Sequence, residues 1–488
     1  MLEALDAQAM VVPMRTRLPF RYGIAELTVA PHVVIEITVS WQGQEVVGRA
    51  ADHLPPKWFT KDATTSFAED LPALVAVVEH ATGLARQAGP HANPFAWWDA
   101  IDDLQQAWAG REDVPPLLAG LGTSLVERAV LDAVCRAEQR PFLDLLRAGA
   151  LGFSPDRLHP ALADVDWTRL VGNRIADTVS VRHTVGLADP LTPDEVGDDD
   201  PADGLPVSLR EVVERYGVDH IKIKLSGDEQ TDHDRLRTLC TVVGDAITTA
   251  TMDGNEQFTS VEHLRDHLTA LRRNERIRRF LTDTVTVLEQ PFHRDVALEV
   301  DLRGEQDLPP TIIDESDAER SSARHAVEEL GYAGTSFKSC KGVFRGLANA
   351  AWLGWRRTQG AAGVVTAEDL SNVGPIALLQ DLVGVAAIGV DHVERNGHHY
   401  FGRPAPLGAD TDAHLLRHHP DLYVDHGNGR ASLRIDRGEL SLRTVTRAPY
   451  GYGGDLDTTA TTSLSLNAAL EAIGEPPPPP TTGGNTTG

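Results

Sequence analysis

Apolar and polar residues first alternate along the chain and later recur at helical spacing. Residues 33–41, VVIEITVSW, alternate in this way and are rich in β-branched side chains, which predicts a strand. Residues 124–149, SLVERAVLDAVCRAEQRPFLDLLRAG, carry an apolar stripe at helical spacing and end at a glycine, which predicts helices. Residues 1–160 are therefore expected to form an α+β unit.

From about residue 178, short apolar runs alternate with amphipathic segments. Candidate strands begin near residues 178, 220, 247, 285, 310, 334, 363 and 385. The segments LREVVERY and ARHAVEEL place their apolar residues on one face and end at Gly217 and Gly331, which is typical of helices. Eight strands that alternate with helices favour a parallel (β/α) barrel over a doubly wound sheet. We expect this barrel in residues 175–400.

Three other segments have their own patterns. Residues 187–206 form an acidic insertion rich in Pro and Gly, and we expect it above the carboxyl ends of the barrel strands because it follows the first of them. Residues 401–475 contain two candidate strands, ASLRIDR and LSLRTV, which are expected to return to the N-terminal unit. The low-complexity residues 476–488 predict a disordered tail.

Charge and composition limit the partners of this chain. The 71 acidic and 45 basic residues give a net charge of −26, which disfavours nucleic acids and anionic membranes. No apolar stretch approaches the roughly 18 residues of a membrane span, and the N-terminus lacks the pattern of a signal peptide. The 3 cysteines are too few for a disulfide framework. We therefore expect a cytoplasmic protein with a small-molecule substrate, and a homo-oligomer is left open.

Lysine is rare enough in this chain to carry information. Lysines occur only at positions 57, 61, 222, 224, 338 and 341, whereas the other basic residues are arginine. In HIKIKL, Lys222 and Lys224 share one parity and are expected to point together into the barrel mouth. Their mutual repulsion would favour a neutral amine in one of them, which suits a base. The alternative is a pair of solvated lysines on an edge strand.

Carboxylates end the next strands along the chain. Asp253, Glu289 and Asp314 each follow an apolar run at the point where a strand meets a loop. Such ends converge in a parallel barrel, and an all-oxygen set of ligands suits Mg²⁺. Lys338 ends the sixth strand and is expected across the mouth from Lys224, whereas Lys341 is interpreted as structural.

The order of these residues resembles the enolase superfamily, and most of all its muconate-lactonizing-enzyme and mandelate racemase types. The resemblance rests on the motifs KIK at 222–224, MDGN at 252–255, LEQP at 288–291, DES at 314–316 and FKSCKG at 337–342. It extends to SLVERAVLDAV, to PFRYG at 19–23 and to PYGYGGDLD at 449–457. It implies a (β/α)7β-type TIM barrel with an α+β N-terminal capping domain that C-terminal segments complete.

The resemblance also implies a chemistry, namely Mg²⁺-dependent abstraction of the α-proton of a carboxylate through a metal-stabilised enolate. Asp253, Glu289 and Asp314 would bind the metal, and Lys224 and Lys338 would act as acid and base on opposite faces, with Lys222 beside Lys224. Substrate contacts are expected from Arg21, Tyr22, Asn255, Glu368, Asp369, Asp391, His392 and Glu394. Racemisation or epimerisation, β-elimination and cycloisomerisation all remain open as outcomes.

Other interpretations of the same residues stay open. A non-catalytic relative could bind metal or ligand without turnover. A Schiff-base aldolase on a TIM barrel could use Lys224 or Lys338 as a nucleophile. An acidic structural protein would leave the order of the motifs as a coincidence.

Overall fold

The N-terminal part of the chain is an antiparallel sheet covered by helices. The structure is a computed structural model that describes residues 1–173 and 176–475, so the tail expected at 476–488 lies outside the described residues. Strands β1 (Leu2–Tyr22), β2 (Ala25–Trp41) and β3 (Gln44–His53) pair in sequence order. Gly23 has a φ of 50° at the turn between β1 and β2, a conformation that glycine adopts without strain.

Helices then pack on this sheet. They are α1 (Pro56–Phe59), α2 (Phe67–Gln87), α3 (Pro94–Arg111), α4 (Pro116–Glu138) and α5 (Phe142–Arg147). The side chain of Ser66 caps the first turn of α2, and Glu69 bonds back to the amide of Ser66. Helix α4 is buried along nearly its whole length because it lies between the sheet and its neighbouring helices. These elements confirm the α+β unit that the N-terminal pattern predicts.

Parallel strands form the second part of the structure. They are β4 (Thr178–Val185), β5 (His220–Lys224), β6 (Thr249–Asp253), β7 (Val285–Glu289), β8 (Thr311–Ile313), β9 (Gly334–Lys338), β10 (Val364–Glu368) and β11 (His392–Arg395). Neighbours in the sheet follow the order β10-β9-β8-β7-β6-β5-β4-β11. The end strands β10 and β11 also contact each other, so the sheet curls into a barrel.

Helices alternate with these strands. They are α6 (Leu209–Tyr216), α7 (Glu229–Val242), α8 (Val261–Leu271), α9 (Glu275–Asp283), α10 (Arg294–Ala297), α11 (Ser322–Glu329), α12 (Val343–Thr358) and α13 (Ala377–Ile388). Short 3₁₀ turns lie at Pro155–Arg157, Pro160–Leu162, Trp167–Arg169, Pro193–Glu195, Gly244–Ala246 and Ser339–Lys341. No helix among the described residues is long and apolar enough to span a membrane. The predicted capping unit with a (β/α) barrel is confirmed.

The strand predicted near residue 385 is wrong. Residues 385–388 are the last turn of α13, which ends at Gly389, and the eighth strand is β11. Every residue of α13 is buried, and its last seven residues, LVGVAAI, carry no polar side chain. A continuous apolar run does not distinguish a buried helix from a strand.

The C-terminal part contacts both units. It contains α14 (Gly397–Tyr400), α15 (Thr411–His418), β12 (Tyr423–Asp425), β13 (Ala431–Leu433), β14 (Glu439–Ser441), β15 (Thr462–Ser463) and α16 (Leu466–Ile473). The expectation that ASLRIDR and LSLRTV return to the N-terminal unit is wrong, since β13 pairs with β12 and β14 pairs with β4 of the barrel. Instead β15 adds to β1, and α16 packs on the same sheet.

The acidic insertion lies against the hairpin of β1 and β2. The amide of Leu187 donates to the carbonyl of Arg21 at 3.2 Å, and Arg17 forms a bidentate pair with Asp203 at 2.7 and 2.9 Å. The hydroxyl of Tyr400 donates to Asp189 at 2.6 Å. The insertion therefore follows β4 as expected and supports the outer side of the hairpin.

Candidate active site

Charged residues end neighbouring barrel strands at one height. The register places Lys224 opposite Asp253 and Asp253 opposite Glu289, and on the other side of the barrel Lys338 lies opposite Glu368. Each of these residues is the last of its strand. Because parallel strands end on the same side of a barrel, their side chains meet at the mouth.

The ammonium of Lys222 lies at the centre of this arrangement. Its Nζ atom is 2.8 Å from Glu289, 2.8 Å from Glu368, 2.7 Å from Glu394 and 2.9 Å from Asp253. Burial alone would lower the pKa of Lys222, but the carboxylates around it raise this pKa well above its ordinary value. The repulsion between lysines expected from the sequence is therefore outweighed here, and Lys222 is a charged structural centre.

Lys224 faces the cavity above that centre. Its Nζ atom donates to Oδ2 of Asp253 at 2.6 Å. The amide of Asn255 donates to the other carboxylate oxygen of Asp253 at 2.8 Å. The pKa of Asp253 is lowered, because Lys222 and Lys224 outweigh the effect of burial. Asn255 thus orients Asp253 through its main chain rather than through its side chain.

Lys338 lies four strands away from Lys224 in the barrel, hence across the mouth. Its Nζ atom is 2.5 Å from Asp314 and 3.1 Å from Glu368, and it lies 4.6 Å from the centre of the Trp58 ring. Burial would lower the pKa of Lys338, but Asp314 and Glu368 raise it well above its ordinary value. Lys338 is therefore held as an ammonium.

Asp314 is bound by a second lysine. The Nζ atom of Lys341 is 3.1 Å from Oδ1 of Asp314 and 3.1 Å from the hydroxyl of Ser336, which also donates to Asp314. Burial raises the pKa of Asp314, but Lys338 and Lys341 together hold it below its usual range. Lys341, which the sequence pattern suggests to be structural, touches this carboxylate directly.

A group of carboxylates in this site has the spacing of a cation site. Oxygen atoms of Glu289, Asp314 and Glu368 lie within 4.8 Å of one another, and all three residues are buried. Two of them belong to the set predicted from the sequence, and Glu368 joins them while Asp253 contacts Lys222 and Lys224. Burial and the charge of Glu368 raise the pKa of Glu289 well above its ordinary value.

Residues of this group fit a hard divalent cation. Oε2 of Glu289 is buried and has no hydrogen-bond partner within residues 1–173 and 176–475. An unpartnered carboxylate oxygen beside other carboxylates is costly unless a cation binds there. An all-oxygen set suits Mg²⁺ better than softer metals.

The hairpin of β1 and β2 closes the site from above. Phe20, Tyr22, Leu27 and Trp58 line a cavity of about 40 Å³ together with residues of the barrel mouth. Burial raises the pKa of Tyr22, so its phenol is neutral. A space of this size holds a few water molecules.

The predicted substrate contacts divide into two groups. Tyr22, Asn255, Asp369 and Glu394 line the cavity with Lys224 and Lys338. Glu368 lies beneath it, between Lys222 and Lys338. These residues therefore belong to the site or to its immediate support.

Arg21, Asp391 and His392 do not reach the cavity, so their prediction as substrate contacts is corrected. The side chain of Arg21 is 57% exposed and pairs with Glu26, because alternation along β1 turns Tyr22 inward and Arg21 outward. Asp391 lies just before β11, and His392 is the first residue of this strand. Both therefore lie at the end of the barrel opposite to the mouth. The misplaced eighth strand is the reason for that error.

Several residues of the site are not among those that the sequence predicts. Arg182 on β4 is fully buried and donates to Oε1 of Glu368 at 3.2 Å. The alternation in TVSVRHTV places Arg182 on the same side of the strand as Ser180 and Thr184, and this pattern is a signal in the sequence. Thr184 on the same strand bonds to Glu394. Trp58 lies in the short helix α1 of the cap, and no local pattern predicts its contact with Lys338.

Comparisons with known proteins give likenesses of structure. No family model matches the chain, and no curated protein sequence matches it. The mandelate racemase/muconate lactonizing protein from Herpetosiphon aurantiacus is 16% identical, with 93% of this chain and 99% of that chain covered and a TM-score of 0.59.

Two further solved structures resemble the chain to a similar degree. The dipeptide epimerase from Enterococcus faecalis, complexed with Mg and the dipeptide L-Leu-L-Tyr, is 15% identical, with 90% and 99% of the two chains covered and a TM-score of 0.57. The N-succinyl Arg/Lys racemase from Bacillus cereus is 14% identical, with 95% and 100% covered and a TM-score of 0.57. The chain therefore has the fold of the mandelate racemase and muconate lactonizing proteins of the enolase superfamily, as the sequence resemblance predicted.

Proposed function

We propose that this protein is an enzyme that removes the α-proton of a carboxylate substrate with the help of Mg²⁺ and stabilises the enolate. The observation that carries the proposal is the pair Lys224 and Lys338, which face one cavity from opposite sides of a buried carboxylate cluster. A planar enolate between two such groups can lose a proton on one face and gain one on the other.

The carboxylates supply a place for the cation. Glu289 and Asp314 would hold Mg²⁺ together with Asp253, and Glu368 lies within reach of the same position. Mg²⁺ bound there would polarise the substrate carboxylate and stabilise the negative charge that develops on proton removal, a contribution of several kcal/mol. Asn255 and Lys341 keep Asp253 and Asp314 in place through the contacts described above.

The two lysines divide the proton transfers between them. Lys338 is held as an ammonium by Asp314 and Glu368, so it suits the role of proton donor in this state. Among the described residues, Lys224 forms a salt bridge with Asp253 alone, and it faces the cavity, which suits the group that removes the proton. For a substrate of opposite configuration the two roles exchange, which would allow racemisation or epimerisation.

The cap limits the substrate and excludes water. Phe20, Leu27 and Trp58 give the cavity an apolar roof, whereas Asp369 and Glu394 give it an acidic wall. Racemisation, β-elimination and cycloisomerisation all begin with the same proton removal, and each stays within the proposal. The dipeptide epimerase and the N-succinyl Arg/Lys racemase share the fold, and carboxylates with an amino or acylamino substituent are therefore the first substrates to test.

Other parts of the proposal follow from the sequence. We assign residues 1–160 to the cap, 175–400 to the barrel and 401–475 to a C-terminal segment of which β15 and α16 pack back on the cap. We place the protein in the cytoplasm. The Schiff-base alternative requires a neutral amine, whereas the pKa of Lys338 is raised by its carboxylate partners. Borohydride trapping with a carbonyl substrate tests that alternative directly.

The experiment for the proposal is deuterium uptake in heavy water. The protein is incubated with Mg²⁺ and a library of α-substituted carboxylic acids, and exchange at the α-carbon is followed by mass spectrometry. We expect exchange that EDTA abolishes and that Lys224→Ala and Lys338→Ala reduce, while Arg443→Ala, an exposed residue outside the cavity, leaves it unchanged. Absence of both exchange and Mg²⁺ binding would overturn the proposal in favour of a non-catalytic relative.

A further inference from the structure

A second cavity of about 360 Å³ lies on the outer side of the hairpin. Four segments that are distant in the sequence form its walls, namely the middle of β1, the end of the acidic insertion, the loop after α14 and the turn between β12 and β13. It shares no lining residue with the cavity that contains Lys224 and Lys338. Its volume lies in the range of small-ligand sites in proteins.

Arginines line this cavity from three of those segments. They are Arg15 and Arg17 on β1, Arg403 after α14 and Arg430 in the turn before β13. Arg17 pairs with Asp203 and also donates to the carbonyls of Pro206 and His399. It therefore joins the insertion and α14 to β1 of the cap, and Asp203 compensates its charge.

The other three arginines of the cavity are free to bind an anion. Arg15, Arg403 and Arg430 are exposed, and none forms an ion pair with an acidic residue in the part of the chain that the structure describes. Asp412 also lines the cavity, but one of its oxygens accepts the amide of Ala431 at 2.7 Å. Against a net charge of −26 for the whole chain, this cavity is a local concentration of positive charge.

We propose that this cavity binds a small polyanion that carries a phosphate or clustered carboxylates. The planar guanidinium forks of arginine bind both groups in a bidentate manner, and several arginines at one cavity favour more than one anionic group. The acidic insertion forms one wall of the site. Its Asp203 is paired with Arg17, and Leu205 faces the cavity. This inference does not depend on the proposed function.

Calorimetry with two probes tests the proposal. Inorganic pyrophosphate represents phosphate chemistry and citrate represents clustered carboxylates. Each is titrated at low ionic strength into the full chain, which has been dialysed to remove metal ions and contains no chelator. The test variant is Arg403→Ser with Arg430→Ser. The matched control is Arg417→Ser with Arg434→Ser, which removes the same charge from exposed positions outside the cavity.

We expect at least one probe to bind the wild-type chain, with an affinity at least tenfold lower in the test variant and changed less than twofold in the control. Equal weakening in the two double variants would mean diffuse surface attraction and would overturn the proposal. Absence of binding by both probes at millimolar concentration would also overturn it. So would binding that Lys338→Ala abolishes and the test variant does not, since the probe would then occupy the barrel mouth.

Discussion

Glu127 of the cap helix α4 accepts the amide of Phe344 in the barrel at 2.7 Å. The other oxygen of this buried carboxylate accepts the amide of Val343 at 3.0 Å. These amides begin α12, which follows the strand and turn that carry Lys338 and Lys341. One side chain of the cap therefore satisfies the first amides of a barrel helix directly behind the proposed acid and its neighbour.

The first prediction concerns this contact. Glu127→Gln keeps one accepting oxygen and places an amide donor against a backbone donor, so we expect it to lower the free energy of unfolding at pH 5 by about 1–2 kcal/mol. Chemical denaturation of the two proteins measures the difference. Glu299→Gln, an exposed position in the barrel, is the control and should change stability by less than about 0.5 kcal/mol.

The second prediction concerns pH and follows from burial of the same carboxyl. Burial raises the pKa of Glu127 from 4.5 to about 8, despite the two amides that favour its charged form. The folded state therefore holds this proton more tightly than the unfolded state, and the resulting stability is full below pH 4.5 and is lost as pH rises through about 8. The difference in the free energy of unfolding by which wild type exceeds Glu127→Gln should therefore decrease between pH 5 and pH 9. An advantage that grows over this range would contradict the assignment.

A third prediction separates the metal site from the fold. Burial and Glu368 raise the pKa of Glu289, so its charged form is costly without a cation. We expect Glu289→Gln to match or exceed wild-type stability in EDTA and to lose the increase in melting temperature that Mg²⁺ gives wild type. Thermal denaturation with and without Mg²⁺ shows both effects. A variant that is destabilised in EDTA yet still stabilised by Mg²⁺ would remove Glu289 from the ligand set.

A fourth prediction concerns the support beneath the site. Arg182 is fully buried and is bonded to Glu368, so Arg182→Met leaves an acidic group with one charged partner fewer. Loss of one partner from a buried ion pair costs about 3 kcal/mol or more. We expect the double variant Arg182→Met with Glu368→Gln to recover part of this loss. Additive losses in the double-mutant cycle would mean that the two residues do not interact energetically.

Much of the barrel could be predicted because its strands are short apolar runs with a charged residue at the end. Asp253, Glu289 and Lys338 are the final residues of their strands, and their convergence follows from the parallel topology alone. The eighth strand is predicted at the wrong place because residues 382–388, the end of α13, form a continuous apolar run. Because of this error, Asp391 and His392 are predicted at the barrel mouth, whereas they lie at its opposite end.

Other parts of the site depend on packing that a sequence does not reveal. The parity of β1 turns Tyr22 rather than Arg21 inward, but the extent of that long strand had to be known first. Trp58 reaches Lys338 only because the cap lies over the barrel. The enclosure of Lys222 by carboxylates from four strands arises from closure of the barrel, which no local pattern contains.

The central claim is that Lys224 and Lys338 address opposite faces of one α-carbon. The most direct test follows α-deuterium exchange separately for the two enantiomers of the library acid that exchanges fastest. We predict that Lys224→Ala loses exchange from one enantiomer and retains it from the other, and that Lys338→Ala shows the reverse. Equal loss of exchange from both enantiomers in both variants would contradict the claim. Full exchange of both enantiomers in either variant would contradict it as well.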